Sequence, residues 1–482
     1  MSILCNQGYI INKNDISKEK LSKIKKELKV RPFVQGSRGR FAKSFKIYRE
    51  NDTKICLPKF YGLKNLPPPK TIDIREGDDI SLKFAGSLRD YQQKVIDETL
   101  PKIKNHEGGL ISLPPGRGKT VIACKLISDL SKKTLVIVHK TFLLSQWKKR
   151  IEQFLPDARV GLIQGPKVDI EDKDIVIAML QSISLKDDYP DDMFYSFGSL
   201  IIDESHHISA EKFSKALRRI SVPYMIGLSA TPFRNDKLEK VLNYHIGDVL
   251  YYEKPQINQE IEVNIYKFNM EHKKFIQVVN KYTKEAQVST MITNLSELSE
   301  RNKFIINIIK KTRECKDRKL LVLTDRRNHI EFLLDKVGKL NIGSVSKYVG
   351  GMKQAKLDIA EEADIIFSTY SMSSEALDIS SLNSVILSTP RRNVEQSTGR
   401  ILRKQKGNYV ICPLIIDIVD KLPVFTSQSY TRKAYYKKIT KLNNIINFKY
   451  EKGKIIEEKK KKQETVVEES NDVDLFVDSD SD

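Results

Sequence analysis

The sequence predicts an α/β protein: two tandem domains, each a parallel sheet with helices on both faces, plus a small N-terminal domain. Three observations carry this. Between residues 81 and 235, short β-branched runs alternate with segments of helical length. The same alternation returns over 301–430. It is the pattern of βαβ units, whose parallel strands are buried on both sides. Finally, a glycine-rich loop, Leu113-Pro-Pro-Gly-Arg-Gly-Lys-Thr120, follows the first apolar run of the first domain and has no counterpart in the second.

In chain order, residues 1–80 read as a small basic accessory domain. Lys18 to Lys29 is dense in lysine, with Leu21, Ile24 and Leu28 at helical spacing. Arg31 to Arg49 interleaves basic and aromatic side chains, and Pro67 to Pro69 marks a rigid boundary or loop. Such a unit can bind nucleic acid or cap the next domain. Over 81–235, strands are expected at Gly109 to Leu113, Thr134 to Val138, Ile175 to Ala178, Leu200 to Asp203 and Tyr224 to Leu228. Residues 236–300 are less regular and more polar, and are expected to form a bridge or inserted element. Over 301–430, strands are expected at Leu320 to Thr324, Gly343 to Tyr348, Asp364 to Ser368, Val385 to Ser388 and Tyr409 to Pro413. Residues 431–482 turn from basic to acidic, from the lysines at 459–462 to Asp478, Asp480 and Asp482. That tail is expected to be largely disordered.

Composition bounds the partners. The chain has 482 residues with 83 Lys and Arg against 62 Asp and Glu, a formal charge of +21. An excess of this size points to a polyanion such as nucleic acid. No apolar run approaches the roughly 18 residues of a membrane span, so no membrane partner is expected. The N-terminus lacks the basic and apolar regions of a secretory signal. Five scattered cysteines form no paired or zinc-binding spacing, which suits a reducing compartment.

The glycine-rich loop carries the chemistry. Placed between strand and helix, its backbone N–H groups converge on phosphate oxygens at a helix N-terminus. Gly116 and Gly118 let the chain approach without a Cβ, with Arg117 between them. Lys119 would reach the β- and γ-phosphates and Thr120 would ligate Mg²⁺. The usual loop has glycine where this chain has Leu113, which argues against the GTPase and kinase versions. Further on, Leu200-Ile-Ile-Asp-Glu-Ser-His ends an apolar strand in an acidic pair. Asp203 would hold the metal, and Glu204 would orient the attacking water. His206 and His207 lack metal-ligand spacing. His206 is expected instead to couple this site to Ser229-Ala-Thr231. Gln396, Arg400 and Arg403 are spaced to share a helical face, and arginine suits developing phosphate charge.

Taken in order, Leu88-Arg-Asp-Tyr-Gln-Gln, the loop at 114–120, Asp203-Glu-Ser-His, Ser229-Ala-Thr-Pro, Tyr370-Ser-Met-Ser-Ser-Glu-Ala-Leu-Asp-Ile and Gln396-Ser-Thr-Gly-Arg-Ile-Leu-Arg resemble the motifs of superfamily 2 helicases. The resemblance spans residues 88 to 403. It implies two RecA-like domains with ATP in the cleft between them. Gln92 would read the adenine, supported by Arg89 and Tyr91. Gln396, Arg400 and Arg403 would face the γ-phosphate from the second domain, and Asp378 would address the ribose side. Lys140, Thr141, Gln146, Gln181, Ser182, Arg326, Arg327, Thr369, Ser371 and Ser374 would line the nucleic-acid track. His206, Ser229, Thr231 and Glu375 would couple track and cleft. Trp147, the one tryptophan, is expected to pack its helix against the sheet.

Within the superfamily, the motifs resemble the XPB-like branch, nearest to the poxvirus-type transcript-release helicases of large nucleocytoplasmic DNA viruses. One departure is Glu-Ala-Leu-Asp where the branch often has Glu-Gly-Leu-Asp, a change small enough to leave the motif working. The resemblance implies an ATP- and Mg²⁺-dependent, monomeric helicase moving 3′ to 5′ on single-stranded or duplex DNA, with RNA or RNA–DNA hybrid as further substrates. Its expected work is viral transcript release, replication or repair, in contact with viral transcription or replication proteins. The expected place is the viral factory in the host cytoplasm, or the virion. Two alternatives stand: a duplex translocase that remodels complexes without unwinding, and a scaffold that binds nucleic acid without catalysis.

Overall fold

The computed structural model describes residues 2–33, 43–106, 108–114, 116–185, 189–204, 210–230, 238–254, 261–375, 377, 379, 381–402, 411–451 and 453–458. The N-terminal unit has strands β1 (Ser2–Cys5), β2 (Gly8–Asn12), β3 (Lys29–Val30), β4 (Phe45–Lys46), β5 (Arg49–Glu50), β6 (Lys54–Leu57) and β7 (Thr71–Asp73). Strands β3 and β4 pair with each other, and the other five form one sheet in the order β5-β6-β2-β1-β7. Helix α1 (Lys18–Glu27) is started by Ser17, whose hydroxyl accepts the Lys20 N–H, and it buries Ile24.

This unit is docked. At the start of α2 (Lys59–Asn65), Lys59 is 1% exposed, and its ammonium donates to the carbonyls of Val222 and Pro223 at 2.8 and 3.0 Å. Asn6 and Ser221 exchange two hydrogen bonds, and Leu238 and Val241 of the next domain complete the N-terminal core. Residues 78–85 then run as a strap along that domain, bonded through Asp78, Ile80 and Ala85 to Ser196, Lys133, Ser131 and Phe154. The packing thus shows the unit capping the next domain.

The first large domain is an eight-stranded sheet in the order β11-β10-β12-β9-β13-β14-β8-β15. Its strands are β8 (Gly108–Ser112), β9 (Thr134–Val138), β10 (Val160–Gln164), β11 (Lys167–Asp169), β12 (Ile175–Met179), β13 (Ser199–Ile202), β14 (Tyr224–Ser229) and β15 (Val249–Tyr252). Only the β10–β11 pair is antiparallel. The five expected strands are all present, and β8, β9, β12 and β13 are buried at every position, as two-sided cover requires. Helices α3 (Asp90–His106), α4 (Lys119–Leu130), α5 (Thr141–Phe154), α6 (Leu180–Leu185), α7 (Ala210–Leu217) and α8 (Glu239–Ile246) surround it. One core holds Leu126, Trp147 and Ile151, and the other holds Phe194, Phe197 and Phe213.

The second domain repeats the plan in the order β18-β19-β17-β20-β21-β16-β22-β23. Its strands are β16 (Glu262–Phe268), β17 (Leu320–Thr324), β18 (Val345–Tyr348), β19 (Ile365–Thr369), β20 (Ser384–Leu387), β21 (Leu414–Asp420), β22 (Ile445–Glu451) and β23 (Lys454–Glu457). Its helices are α9 (Val288–Glu297), α10 (Ser299–Thr312), α11 (Arg327–Gly338), α12 (Gln354–Glu362), α13 (Tyr370–Glu375), α14 (Glu395–Thr398) and α15 (Pro423–Ile439).

Four expectations need correction. Residues 236–300 are no bridge: α8 and β15 finish the first domain, while β16 enters the second sheet between β21 and β22. The second domain continues well past residue 430, through α15, β22 and β23; residues 459–482 lie outside the described residues. Of the strand expected at Tyr409 to Pro413, Tyr409 and Val410 lie outside the described residues and 411–413 carry no strand; the strand lies at Leu414–Asp420, buried throughout. The helical face proposed for Gln396, Arg400 and Arg403 does not form as drawn. α14 ends at Thr398, Gly399–Ile401 tightens to a 3-10 turn, and Arg403 lies outside the described residues.

Two buried ion pairs fix the carboxyl end of β21. Arg301 grips Asp420 through Nε and Nη2 at 2.6 and 2.8 Å, both side chains being 0% exposed. Arg432 and Tyr436 both donate to Asp417, at 2.8 and 3.0 Å. The same arginines reach on to the Ser388 and Arg391 carbonyls, and the Tyr370 hydroxyl donates to the Thr389 carbonyl. The loop after β20 is thereby held by α10, α13 and α15 at once.

Removing one partner of a buried pair strands the other charge. Asp420→Ala should therefore cost about 3–5 kcal/mol in urea denaturation, and Arg301→Met/Asp420→Leu should recover most of it. A second expectation concerns acid. Burial pushes His245, bonded to Ser214, and His329, bonded to Thr324 and Asn302, down to about 3. Their unfolded values lie near 6.5, so as pH falls the unfolded chain takes up these protons first. Stability should fall between pH 6.5 and about 3, by about 1.4 kcal/mol per unit for each histidine. Denaturation midpoints at pH 7 and pH 5 measure this, and His329→Gln should flatten the slope.

Candidate nucleotide site

Parallel pairing sets the site. The loop after β8 opens at Leu113, whose N–H donates to the carbonyl of Ser229 at the end of β14. It closes at Gly118, which adopts φ +71 ahead of α4. The positive φ favours glycine, and a Cβ there would fall 2.3 Å from Nε2 of Gln92, so that amide would have to move. Lys119, the first residue of α4, lies 3.5 Å from the Leu113 carbonyl and 3.5 Å from Oε1 of Glu204. Thr120 follows it in the first turn.

Glu204 turns off the end of β13 with φ +48, an unusual conformation for a side-chain-bearing residue and one that recurs at functional sites. Asp203 before it is 6% exposed. Burial pushes its carboxyl up to about 6; the Glu204 charge adds to the rise, while Trp147 and Lys119 oppose it. The indole N–H of Trp147 donates to Asp203 Oδ2 at 2.8 Å. A desolvated carboxylate next to Glu204 fits a divalent cation, whose charge would hold Asp203 ionised. Among the described residues no cluster of three metal-ligating side chains exists.

At the other end of the loop, Gln92 is buried, and its Oε1 accepts the Arg89 N–H at 3.0 Å. Tyr91 donates to the Arg117 carbonyl, and the Arg117 guanidinium lies 3.7 Å over the Tyr91 ring. Arg117 also forms two bonds to Glu253, at 3.1 and 2.5 Å. Arg117, expected among the nucleotide-binding residues of the loop, thus has its guanidinium engaged by Tyr91 and Glu253. Sequence reading missed Glu253, which lies far from the loop in the chain and carries no motif.

The expected track residues fare unevenly. Lys140 and Thr141 sit at the start of α5, where no side chain caps the helix, and Gln146 lies one turn on. Gln181 donates to the His139 carbonyl at 2.8 Å, and Ser182 accepts from the Gly165 N–H at 2.8 Å. Arg326 is engaged by α9, through Ser289 and Thr293, and Arg327 by the Gly350 carbonyl. Both arginines therefore act first as anchors within their own domain. Thr369 and Ser371 share a hydrogen bond at 3.2 Å. Gln396 lies on α14, and Arg400 lies in the turn that follows. His206, Thr231, Asp378 and Arg403 lie outside the described residues, as do the side chains of Ser374 and Glu375.

A family profile described as Type III restriction enzyme, res subunit, matches residues 85–234. A protein of Acanthamoeba polyphaga mimivirus, L396, named as an ATP-dependent RNA helicase, is 36% identical over 441 residues, covering 89% of this chain and 84% of its own. The chain belongs to the superfamily 2 helicases of large DNA viruses. The DNA 3′-5′ translocase XPB2 of Sulfurisphaera tokodaii is 32% identical over 187 residues, or 38% of this helicase and 40% of that protein. A fragment of an HsdR-type subunit of a type I restriction enzyme from Vibrio vulnificus shares the fold. Its TM-score is 0.53 at 16% identity, over 77% of this helicase and 71% of that chain. The protein is thus an ATP hydrolase coupled to work on nucleic acid, built on two RecA-like domains.

Gly118→Ala tests the loop of this helicase. The added methyl meets Gln92 and the positive φ resists it, so affinity for an ATP analogue should fall at least about tenfold in equilibrium titration, with the fold intact by circular dichroism.

Proposed function

We propose that this helicase is a DNA motor moving 3′ to 5′ that serves viral transcript release, replication or repair. The observation that carries the reading is the Lys119–Glu204 contact beside buried Asp203, at the carboxyl ends of β8 and β13, parallel strands on either side of β14. Lys119 would clamp the phosphates, Gln92 with Arg89 would hold the adenine, and Glu204 would direct the water. Thr120 and Asp203 would hold Mg²⁺, which when bound offsets charge on the transferred phosphoryl group. Gln396, Arg400 and Arg403 would answer from the second domain, with Asp378 on the ribose. Ser229, His206, Thr231 and Glu375 would pass the state of the cleft to the track. Lys140 and Thr141 would hold a strand by its phosphates, which positions nucleic acid without reading sequence.

The net charge of +21 supports a polyanionic track. The printed name of the archaeal relative supports DNA and the 3′ to 5′ direction; that of the mimivirus relative points to RNA. The archaeal name also favours a second reading, a translocase that remodels complexes without unwinding. ATPase assays with single-stranded DNA, duplex DNA and RNA, beside strand displacement on 3′- and 5′-tailed substrates, separate these. The main reading expects stimulation by DNA and displacement from a 3′ tail. Stimulation without displacement selects the translocase, and no stimulation by any nucleic acid overturns both. Glu204→Gln should bind ATP normally and lose at least about a hundredfold in turnover, an effect of the size expected for a water-activating group.

A further inference from the structure

Trp147 is the chain's one tryptophan, and only 1% of it is exposed. The ring shares the core with Leu126, Ile151 and Ile201. Filling that core does not explain which acceptor its N–H takes. A buried indole needs a hydrogen-bond partner, and a backbone carbonyl would serve. This one instead donates, at 2.8 Å, to the carboxylate read above as the metal-holding acid. The bond occupies Oδ2 of Asp203, and the Glu204 N–H also donates to this carboxylate. The indole bond also fixes the carboxylate plane, because α5 and the core around it hold the ring.

We infer that Trp147 is a positioning residue: its indole N–H sets the Asp203 carboxylate for Mg²⁺–nucleotide. The inference rests on the reading of the loop as an Mg²⁺–ATP site. The side-chain type fits the task. Phenylalanine would fill the space without donating, and a lysine or arginine would bring a charge that competes with the metal for the carboxylate. Hydrogen bonds to metal-holding groups from outside the coordination sphere carry a large share of metal affinity, about 10–100-fold each. The geometry has a further consequence. Trp147 lies six residues along α5 from Thr141, about 9 Å at 1.5 Å per residue, so the proposed strand-binding end of α5 and the metal acid are joined by one rigid helix.

The test uses the full chain and needs no turnover. Binding of a fluorescent, non-hydrolysable ATP analogue is titrated with Mg²⁺ for the wild type, for Trp147→Phe, and for protein in which the tryptophan is replaced by β-(3-benzothienyl)alanine or by 7-azatryptophan. Because the chain has one tryptophan, such replacement marks this site alone. The benzothienyl ring keeps the shape and puts sulfur where the N–H was. It separates the lost donor from lost packing. 7-Azatryptophan keeps the donor.

The half-saturating Mg²⁺ concentration should rise about 10–100-fold for phenylalanine and for the benzothienyl ring, and stay within about twofold of wild type for 7-azatryptophan. Analogue affinity in EDTA should not change across the set. In the wild type, indole emission should shift with the same Mg²⁺ midpoint. Wild-type Mg²⁺ dependence in the benzothienyl protein would overturn the inference while leaving the ATP-site reading intact. Analogue binding that ignores Mg²⁺ in the wild type would overturn that reading, and the inference with it.

Discussion

Parallel pairing of β13, β14 and β8 is the constraint on which the rest depends. In such a sheet every carboxyl end lies on one edge, so the loops that follow open on the same side. That alone brings Lys119, after β8, within 3.5 Å of Glu204, after β13, although most of a domain separates them in sequence. Ser229, at the end of β14, ties the loop's first residue by a backbone bond. The strands themselves need only be apolar and buried. Chemistry enters where they end, because only there can backbone donors turn toward a ligand without leaving a ladder bond unmade.

The second domain obeys the same geometry with a different reinforcement. Its loop after β20 leads into the segment that carries Gln396 and Arg400. That loop is held by three carbonyl bonds from Arg301, Tyr370 and Arg432, and by Thr389 Oγ1 accepting the Asp325 N–H at 2.9 Å. Buried ion pairs are weak contributors to net stability, since desolvation offsets much of their attraction. What Arg301–Asp420 and Arg432–Asp417 supply is position. Each guanidinium has donors left after its carboxylate is satisfied, and each places one on the loop. A Leu in either place would pack as well and hold nothing.

Much of this was legible in sequence, and what was not has physical causes. Strands buried on both faces, such as Thr134–Val138 and Leu320–Thr324, are uniform apolar runs and stand out. The loop and the acidic pair are local, and each is readable within ten residues. Strand β16 was hidden because its pattern alternates and its partners, β21 and β22, lie in a distant part of the chain. β22 was hidden in the tail because most of its positions are only half-buried, near the sheet edge, and Asn447, Lys449 and Glu451 interrupt its apolar residues. Arg326 looked like a strand contact because a basic residue after a strand is the same letter whether it meets a phosphate or Ser289 and Thr293 of α9. Trp147 was correctly placed as packing, yet its bond to Asp203 joins two motifs that sequence can only list side by side.

The same limit applies to Arg117, and here it bears on how the two domains are joined. Glu253 follows β15 by one residue and stands just before residues 255–260, beyond which β16 begins the second sheet. Its pair with Arg117 is partly buried, at 14% and 30% side-chain exposure, and is bidentate. Such a pair is less screened than a surface contact and more directional. The Arg117 carbonyl meanwhile accepts from Tyr91 and faces Gln92, while its guanidinium stacks on the Tyr91 ring. One residue of the phosphate-binding loop is therefore tied on one side to the segment expected to read the base, and on the other to the chain that leaves the domain. Any shift of the loop backbone at Arg117 must either break a two-bond ion pair or carry Glu253 with it.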